Sequence, residues 1–309
     1  MTLAASPGAV PGARLWAAAA ALLATVIWGG WFPVTRLGVL AGDVTPADMV
    51  VLRFSVGAFV FLPLVLRKGF KAGRAGWPGT LAIVATLSGP FAIFVGLGVR
   101  HAPAVHAAIF IPGTFPAIVF LLGLVIFKDP PSPRRWLGLV AVASGAGLIG
   151  VSAFLGGPDA AVASGAWTGY LYFHACAWMW AVYTVIVRYS GLPAAHALGI
   201  THVGAALVYG PLWLAYGDTG LFDLTLGQLA FQVGYHGLLN GVVAMFLYNF
   251  AIQRLGAAEA AVFAGLVPCF AALSAWPLLG EPIGPAEAVA VVSVGAGVIL
   301  ISGARRRVS

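Results

Sequence analysis

The sequence predicts an all-α integral membrane protein: ten transmembrane helices arranged as two inverted five-helix repeats. Three observations predict it. Apolar residues make up 61% of the 309-residue chain and charged residues only 8%. Apolar runs long enough to cross a bilayer alternate with short charged or turn-rich breaks. The second half of the chain also repeats features of the first at one constant offset.

A soluble domain is about 45–50% apolar and about 25% charged. A soluble chain of this composition has too little polar surface to face water, so lipid is the solvent for most of it. The 41 glycines and 20 prolines fit membrane helices, where small residues let backbones approach and neighbours re-satisfy freed backbone groups. Cys176 and Cys269 each sit in an apolar run without CxxC or metal-ligand spacing. They read as packing residues rather than a disulfide, and nothing in the chain asks for a metal or cofactor. Met1 to Ala13 carry no charged side chain. The apolar run that follows is too long for a signal-peptide core and reads as the first span.

A helix needs about 20 mostly apolar residues to cross the hydrocarbon core. The runs that qualify are 15–37, 47–66, 77–99, 102–127, 135–155, 166–187, 195–216, 227–251, 256–279 and 284–303. Orientation follows from the positive-inside rule. With the N-terminus cytoplasmic, 13 of the 16 Lys and Arg residues fall inside: Arg14, Arg67, Lys68, Lys71, Arg74, Lys128, Arg134, Arg135, Arg188, Arg254 and Arg305 to Arg307. Only Arg36, Arg53 and Arg100 fall outside, with seven of the nine acids: Asp43, Asp48, Asp159, Asp218, Asp223, Glu281 and Glu287. The net charge of +7 is therefore a matter of topology, not of nucleic-acid binding. Both termini are expected in the cytoplasm of a multi-pass protein of the cell (inner) membrane.

Shifting the chain by 152 residues lays Trp28-Gly29-Gly30-Trp31 and Arg36 on Trp180-Ala181-Val182-Tyr183 and Arg188. The same shift lays Lys128-Asp129-Pro130 on Gly280-Glu281-Pro282, Gly145 on Gly297 and Ile149 on Ile301. The repeats are expected at 14–155 and 166–303, five spans each. An odd number inserts them in opposite directions. The basic loop between spans 2 and 3 accordingly answers to an acidic one between spans 7 and 8, with Asp218 and Asp223. Inverted repeats are a recurring transporter architecture, with substrate sites near the midplane where the repeats meet.

At this point the residues resemble a known family. Trp28-Gly-Gly-Trp-Phe-Pro, the Pro46 to Arg53-Phe54 opening of span 2, Pro116, Trp180-Ala-Val-Tyr, Leu266-Val-Pro-Cys-Phe, Leu279-Gly-Glu281-Pro and Gly295 to Gly297 resemble the EamA-type transporters of the drug/metabolite transporter superfamily. The resemblance runs from about Leu15 to Gly303. Lys128-Asp129 departs from it, standing where Gly-Glu is more usual, which favours a structural turn role for the acid. The resemblance implies a secondary transporter of small metabolites, most often an exporter of amino acids or related compounds. A facilitative channel-like pore or a non-transporting membrane scaffold is the alternative.

Polar groups within spans are the functional candidates, because lipid makes them costly. The chain looks free of charge at helix centres, which speaks for a neutral, zwitterionic or aromatic substrate over a strongly charged one. Arg36 and Arg53 lie toward outer span ends. They read as carboxylate capture or, preferably, as snorkelling to headgroups or pairing with Asp43 or Asp48. His106, His174 and His236 offer proton coupling or substrate hydrogen bonds, or else neutral contacts between helices. Tyr235 and Asn240 accompany His236, and Asn240 shares its helix face. Glu259 reads as a proton-linked acid or, preferably, as a helix N-terminal carboxylate. Trp28 and Trp31 in span 1, with Tyr172, Trp178, Trp180 and Tyr183 in span 6, suggest an aromatic cavity between equivalent spans; an interfacial belt is the other reading. The expected substrate site is therefore Trp28, Trp31, His106, His174, Trp178, Tyr183, Tyr235, His236 and Asn240, between spans 1, 4, 6 and 8. Expected partners are a small aromatic or zwitterionic solute, membrane lipid and protons. Pro33, Pro90, Pro112, Pro116, Pro211 and Pro268 mark bends or gates, and Gly237 with Gly241 a close-packing face. No HExxH, paired intramembrane aspartates or nucleophile elbow occurs, which speaks against an enzyme.

Overall fold

The computed structural model describes residues 11–128, 132–155, 160–217, 219–255 and 257–302. Asp129, Asp159, Asp218, Arg305, Arg306 and Arg307 lie outside the described residues. Ten helices are long and apolar enough to cross a membrane: Arg14–Ala41, Pro46–Lys68, Gly73–His101, Ala104–Ile126, Pro133–Ala153, Gly165–Ser190, Ala194–Tyr216, Leu226–Leu255, Val262–Leu279 and Pro285–Ser302, here spans 1 to 10. Among the described residues there is no strand. Helix is the form that lipid allows, because each backbone donor and acceptor is satisfied within its own segment. The outer surface is correspondingly apolar, with Phe59, Leu66, Leu81, Val125, Leu214 and Val292 all exposed. The chain is a multi-pass membrane protein.

Polar side chains start several spans. Thr45 and Asp48 form a capping box at span 2, and Thr225 and Gln228 another at span 8. Each box satisfies two of the donors that a helix start leaves open. Span 9 ends at Gly280 in the left-handed region, φ 67°. Its repeat equivalent at the end of span 4 is Lys128, φ 52°, the sole non-glycine with positive φ among the described residues. The turn geometry recurs although the residue does not.

The packing follows the repeat. Span 1 lies against spans 8 and 9, and span 6 lies against their equivalents, spans 3 and 4. Spans 2 and 7 pair with each other, as do spans 5 and 10. Spans 5 and 10 meet backbone to backbone. A Cβ on Gly138 would stand 2.8 Å from the Gly297 carbonyl oxygen, and one on Gly297 would stand 2.7 Å from that of Gly138. The Gly237/Gly241 face packs on span 2, against the Leu52 and Arg53 carbonyls.

Four spans are irregular, at matching places. Span 3 breaks at Leu87–Ser88, and its equivalent, span 8, runs as π-helix over Val233–Val243. Span 4 breaks between Phe110 and Phe115, and span 9 between Ala264 and Val267. Gly113 and Gly265 occupy equivalent points of the two breaks. Pro90, Pro116 and Pro268 sit in the first turn after a break, where the missing N–H is no loss. Pro112 lies in a break, whereas Pro33 and Pro211 lie inside continuous helices. Interrupted helices in corresponding halves point to the binding region of a transporter.

Candidate functional site

The broken helices surround a cavity of about 320 Å³. Ligand pockets run from about 300 to 1,000 Å³, so this one suits a small organic molecule. Its walls include Trp28, Pro112, Phe115, Pro116, Trp180, Tyr248 and Val267. Its mouth, with Arg135, Arg188 and Ser302, opens toward the face that carries both termini. Trp28 and Trp180, which the repeat makes equivalent, line it together. Trp28 meets the Tyr248 ring edge-on at 4.9 Å, and Trp180 stacks on Phe115 at 4.3 Å.

Deeper in, the cavity narrows to a tip of about 40 Å³ that shares Trp28, Pro112, Trp180 and Val267 and adds Trp31, Arg53, Phe91 and Asn240. Arg53 is two turns into span 2 and only 8% exposed. Its guanidinium lies 4.9 Å over the Trp31 ring and 5.9 Å from Phe91. Nε and Nη1 have no hydrogen-bond partner, nor has Asn240 Nδ2. Trp31 Nε1 donates to His236 Nδ1 at 3.0 Å. An indole N–H only donates, so Nδ1 is the acceptor; the buried Nε2 has no partner.

Arg53 corrects two expectations at once. It neither snorkels nor pairs with Asp43 or Asp48, since no described ion pair includes it. Asp48 is occupied by the Thr45 N–H at 2.8 Å and Trp213 Nε1 at 2.7 Å. The chain also does hold a charge within its helical interior. Seven residues past Pro46, Arg53 reads in sequence as a span-end cation; the packing of spans 2, 3 and 8 encloses it.

The face opposite the termini is latched. Arg36 Nε forms an ion pair with Glu281 Oε1 at 2.5 Å. Arg36 Nη1 donates to the Val99 and Ala102 carbonyls, and Glu281 Oε2 accepts the Ala104 N–H at 3.0 Å. Span 1, the turn between spans 3 and 4 and the loop between spans 9 and 10 are thereby tied together. Beside them His106 bridges Glu287, 3.3 Å from Nε2, and the Tyr170 hydroxyl, 3.0 Å from Nδ1. On the termini face, exposed Arg14 pairs with Glu259 at 2.9 Å, in the first turn of Ala257–Ala264.

Of the residues expected from sequence, Trp28, Trp31 and Asn240 come together in the cavity, with His236 directly behind Trp31. The others stand elsewhere. His106 belongs to the latch. His174 and Trp178 line an outward groove along spans 4 and 5, with Trp178 48% exposed. Tyr183 is buried. Tyr235 braces span 1, donating to the Ile27 carbonyl at 3.1 Å across Gly30. Arg53, Phe91 and Trp180 are among the lining residues that stand outside the expected site. Trp180 was within reach, as the offset partner of Trp28.

Comparison with known proteins agrees with this architecture. The model of the EamA-like transporter family matches twice, over residues 15–151 and 167–303. No curated protein matches the chain. A solved crystal structure of a protein 20% identical superposes with a TM-score of 0.58, over 94% of this chain and 95% of its own. At that identity the likeness concerns the fold. The double match, covering both halves, shows that the chain belongs to the EamA-like transporter family.

Proposed function

We propose that the protein is a secondary transporter of the cell (inner) membrane that exports amino acids or related aromatic or neutral compounds by alternating access. One observation carries the reading. A single cavity is walled by equivalent residues of the two repeats, reaches the helix breaks, and is open at one face while latched at the other. Alternating access needs such an arrangement: a site near the midplane, reached from one side at a time. The basic clusters beside both termini support a cytoplasmic location for that face, so the cavity faces inward. That orientation loads an exporter from the cytoplasm. A channel-like pore is disfavoured, because a pore needs both ends open together. His106, between Tyr170 and Glu287, is the titratable group best placed to couple protons to opening of the latch.

Counterflow in proteoliposomes tests the reading, with a panel of amino acids, amines and nucleosides and with or without a pH gradient. The expected result is saturable uptake of at least one aromatic or neutral solute, faster when a gradient is imposed. Absence of both uptake and binding across the panel overturns the reading.

A further inference from the structure

The tip of the cavity is lined by two residues with unpaired hydrogen-bond donors. Arg53 Nε and Nη1 and Asn240 Nδ2 are buried and unpartnered, and both residues line the tip. No carboxylate lines the cavity or its tip among the described residues. A buried cation without a counter-charge is an unfavourable resting state unless a ligand completes it. Aromatic faces at Trp31, Phe54 and Phe91 surround the guanidinium and offset part of its desolvation, but they leave Nε and Nη1 unpaired. A carboxylate is the matching ligand. It has acceptors only, about four lone-pair sites on two oxygens, and takes two parallel N–H bonds from an arginine.

We propose that Arg53 and Asn240 bind the carboxylate of the transported solute, whose apolar part lies between Trp28 and Trp180. The proposal deepens the transporter reading above and rests on it: it names the solute class as aromatic carboxylates, zwitterionic or not. The volumes fit the division. The tip of about 40 Å³ admits a carboxylate but not a ring, and the adjoining cavity of about 320 Å³ takes the ring between the two indoles. Trp31 is a positioning residue. Its bond to His236 fixes the indole over which Arg53 lies.

The test uses the full chain in detergent micelles, with binding read from tryptophan fluorescence and folding from melting temperature. The probes are phenylalanine and 3-phenylpropionate, which carry the carboxylate, and phenylalaninamide and phenethylamine, which lack it. The two acids are expected to bind at least tenfold more tightly than the other two. Arg53→Gln erases that preference. Asn240→Asp erases it too, and by giving Arg53 an internal counter-ion it keeps the melting temperature at or above wild type, so loss of binding is separated from loss of fold. Equal binding of all four probes overturns the proposal. So does undiminished binding of the acids by Asn240→Asp, or failure of both acids to bind. Counterflow with the same probes separates the two readings. Carboxylate-selective binding without translocation removes the transporter and keeps the subsite, whereas Arg53-independent translocation of phenethylamine does the reverse.

Discussion

Arg36 and Arg188 occupy equivalent positions in the two repeats and therefore lie at opposite faces of the bundle. Arg36 reaches across to Glu281, 2.5 Å away, and to two carbonyls at the end of span 3. Arg188 lies 3.9 Å over the Phe127 ring and lines the open mouth. Glu287 and Arg135 are equivalents as well. Glu287 joins His106 at the closed face, and Arg135 lies by Phe120 in the mouth. One scaffold inserted in two directions thus gives two ends of the same geometry, and at the closed one Arg36 with Glu281 ties three segments together.

Breaking the latch is the largest expected effect. Glu281→Gln leaves Arg36 partly buried without its counter-charge. Removing one partner of a buried pair costs about 3–5 kcal/mol, and the partial exposure of this pair lowers that to about 2 kcal/mol. The melting temperature is expected to fall, and a cysteine replacing Thr35 to react with thiol reagents from the face opposite the termini. The double variant Arg36→Gln/Glu281→Gln regains part of the lost stability, since no lone charge remains, but stays accessible. If Glu281→Gln leaves both the melting temperature and labelling at wild-type levels, the Arg36–Glu281 pair does not hold that end closed.

The next effect concerns where the two repeats touch. Gly138→Val forces a side chain into the Gly297 carbonyl, a clash expected to cost about 1–3 kcal/mol. Gly147, on the same span, has open space around it, so Gly147→Ala is expected to leave stability unchanged. Chemical unfolding in mixed micelles separates the two. Equal effects mean that spans 5 and 10 are not locked backbone to backbone.

The ten spans, the repeat offset and the basic-acidic segregation were all legible in sequence, because each depends on position along the chain. The direction that a side chain faces around its helix was not. A span that is apolar on every side carries no periodic polar face, so nothing in the sequence shows that Trp178 turns outward to a groove while Trp180, two residues on, turns into the cavity. Arg53 was misjudged for a related reason. Distance from the helix start gives depth, but enclosure depends on spans 3 and 8 packing over it. The internal repeat was the one sequence signal that carried direction: Trp28 faces the cavity, so its equivalent Trp180 does too.

That equivalence gives a third test. Trp28→Ala and Trp180→Ala are each expected to weaken solute binding about tenfold, which is about 1.4 kcal/mol, and by similar amounts. Trp178→Ala leaves binding unchanged. A titration of fluorescence against solute concentration checks all three. Strongly unequal losses at Trp28 and Trp180 mean that the solute is held by one repeat, and a loss at Trp178 moves the site to the outward groove.

The smallest effect lies at the equivalent turns after spans 4 and 9. Gly280 and Lys128 share the left-handed conformation, φ 67° and 52°. A side chain there brings Cβ close to the following carbonyl, at about 1–2 kcal/mol, and a glycine escapes this at an entropic cost of about 0.5–1 kcal/mol. Lys128→Gly is therefore expected to raise stability by about 0.5–1 kcal/mol and Gly280→Ala to lower it by about 1 kcal/mol. Opposite signs at the two turns are the expected outcome of thermal unfolding. If Lys128→Gly destabilises instead, the ammonium is what holds the position, and the lysine is there for its charge on the basic, termini-bearing face. In that case the first repeat gives up the favourable turn residue to keep a cation at the face where its basic residues gather.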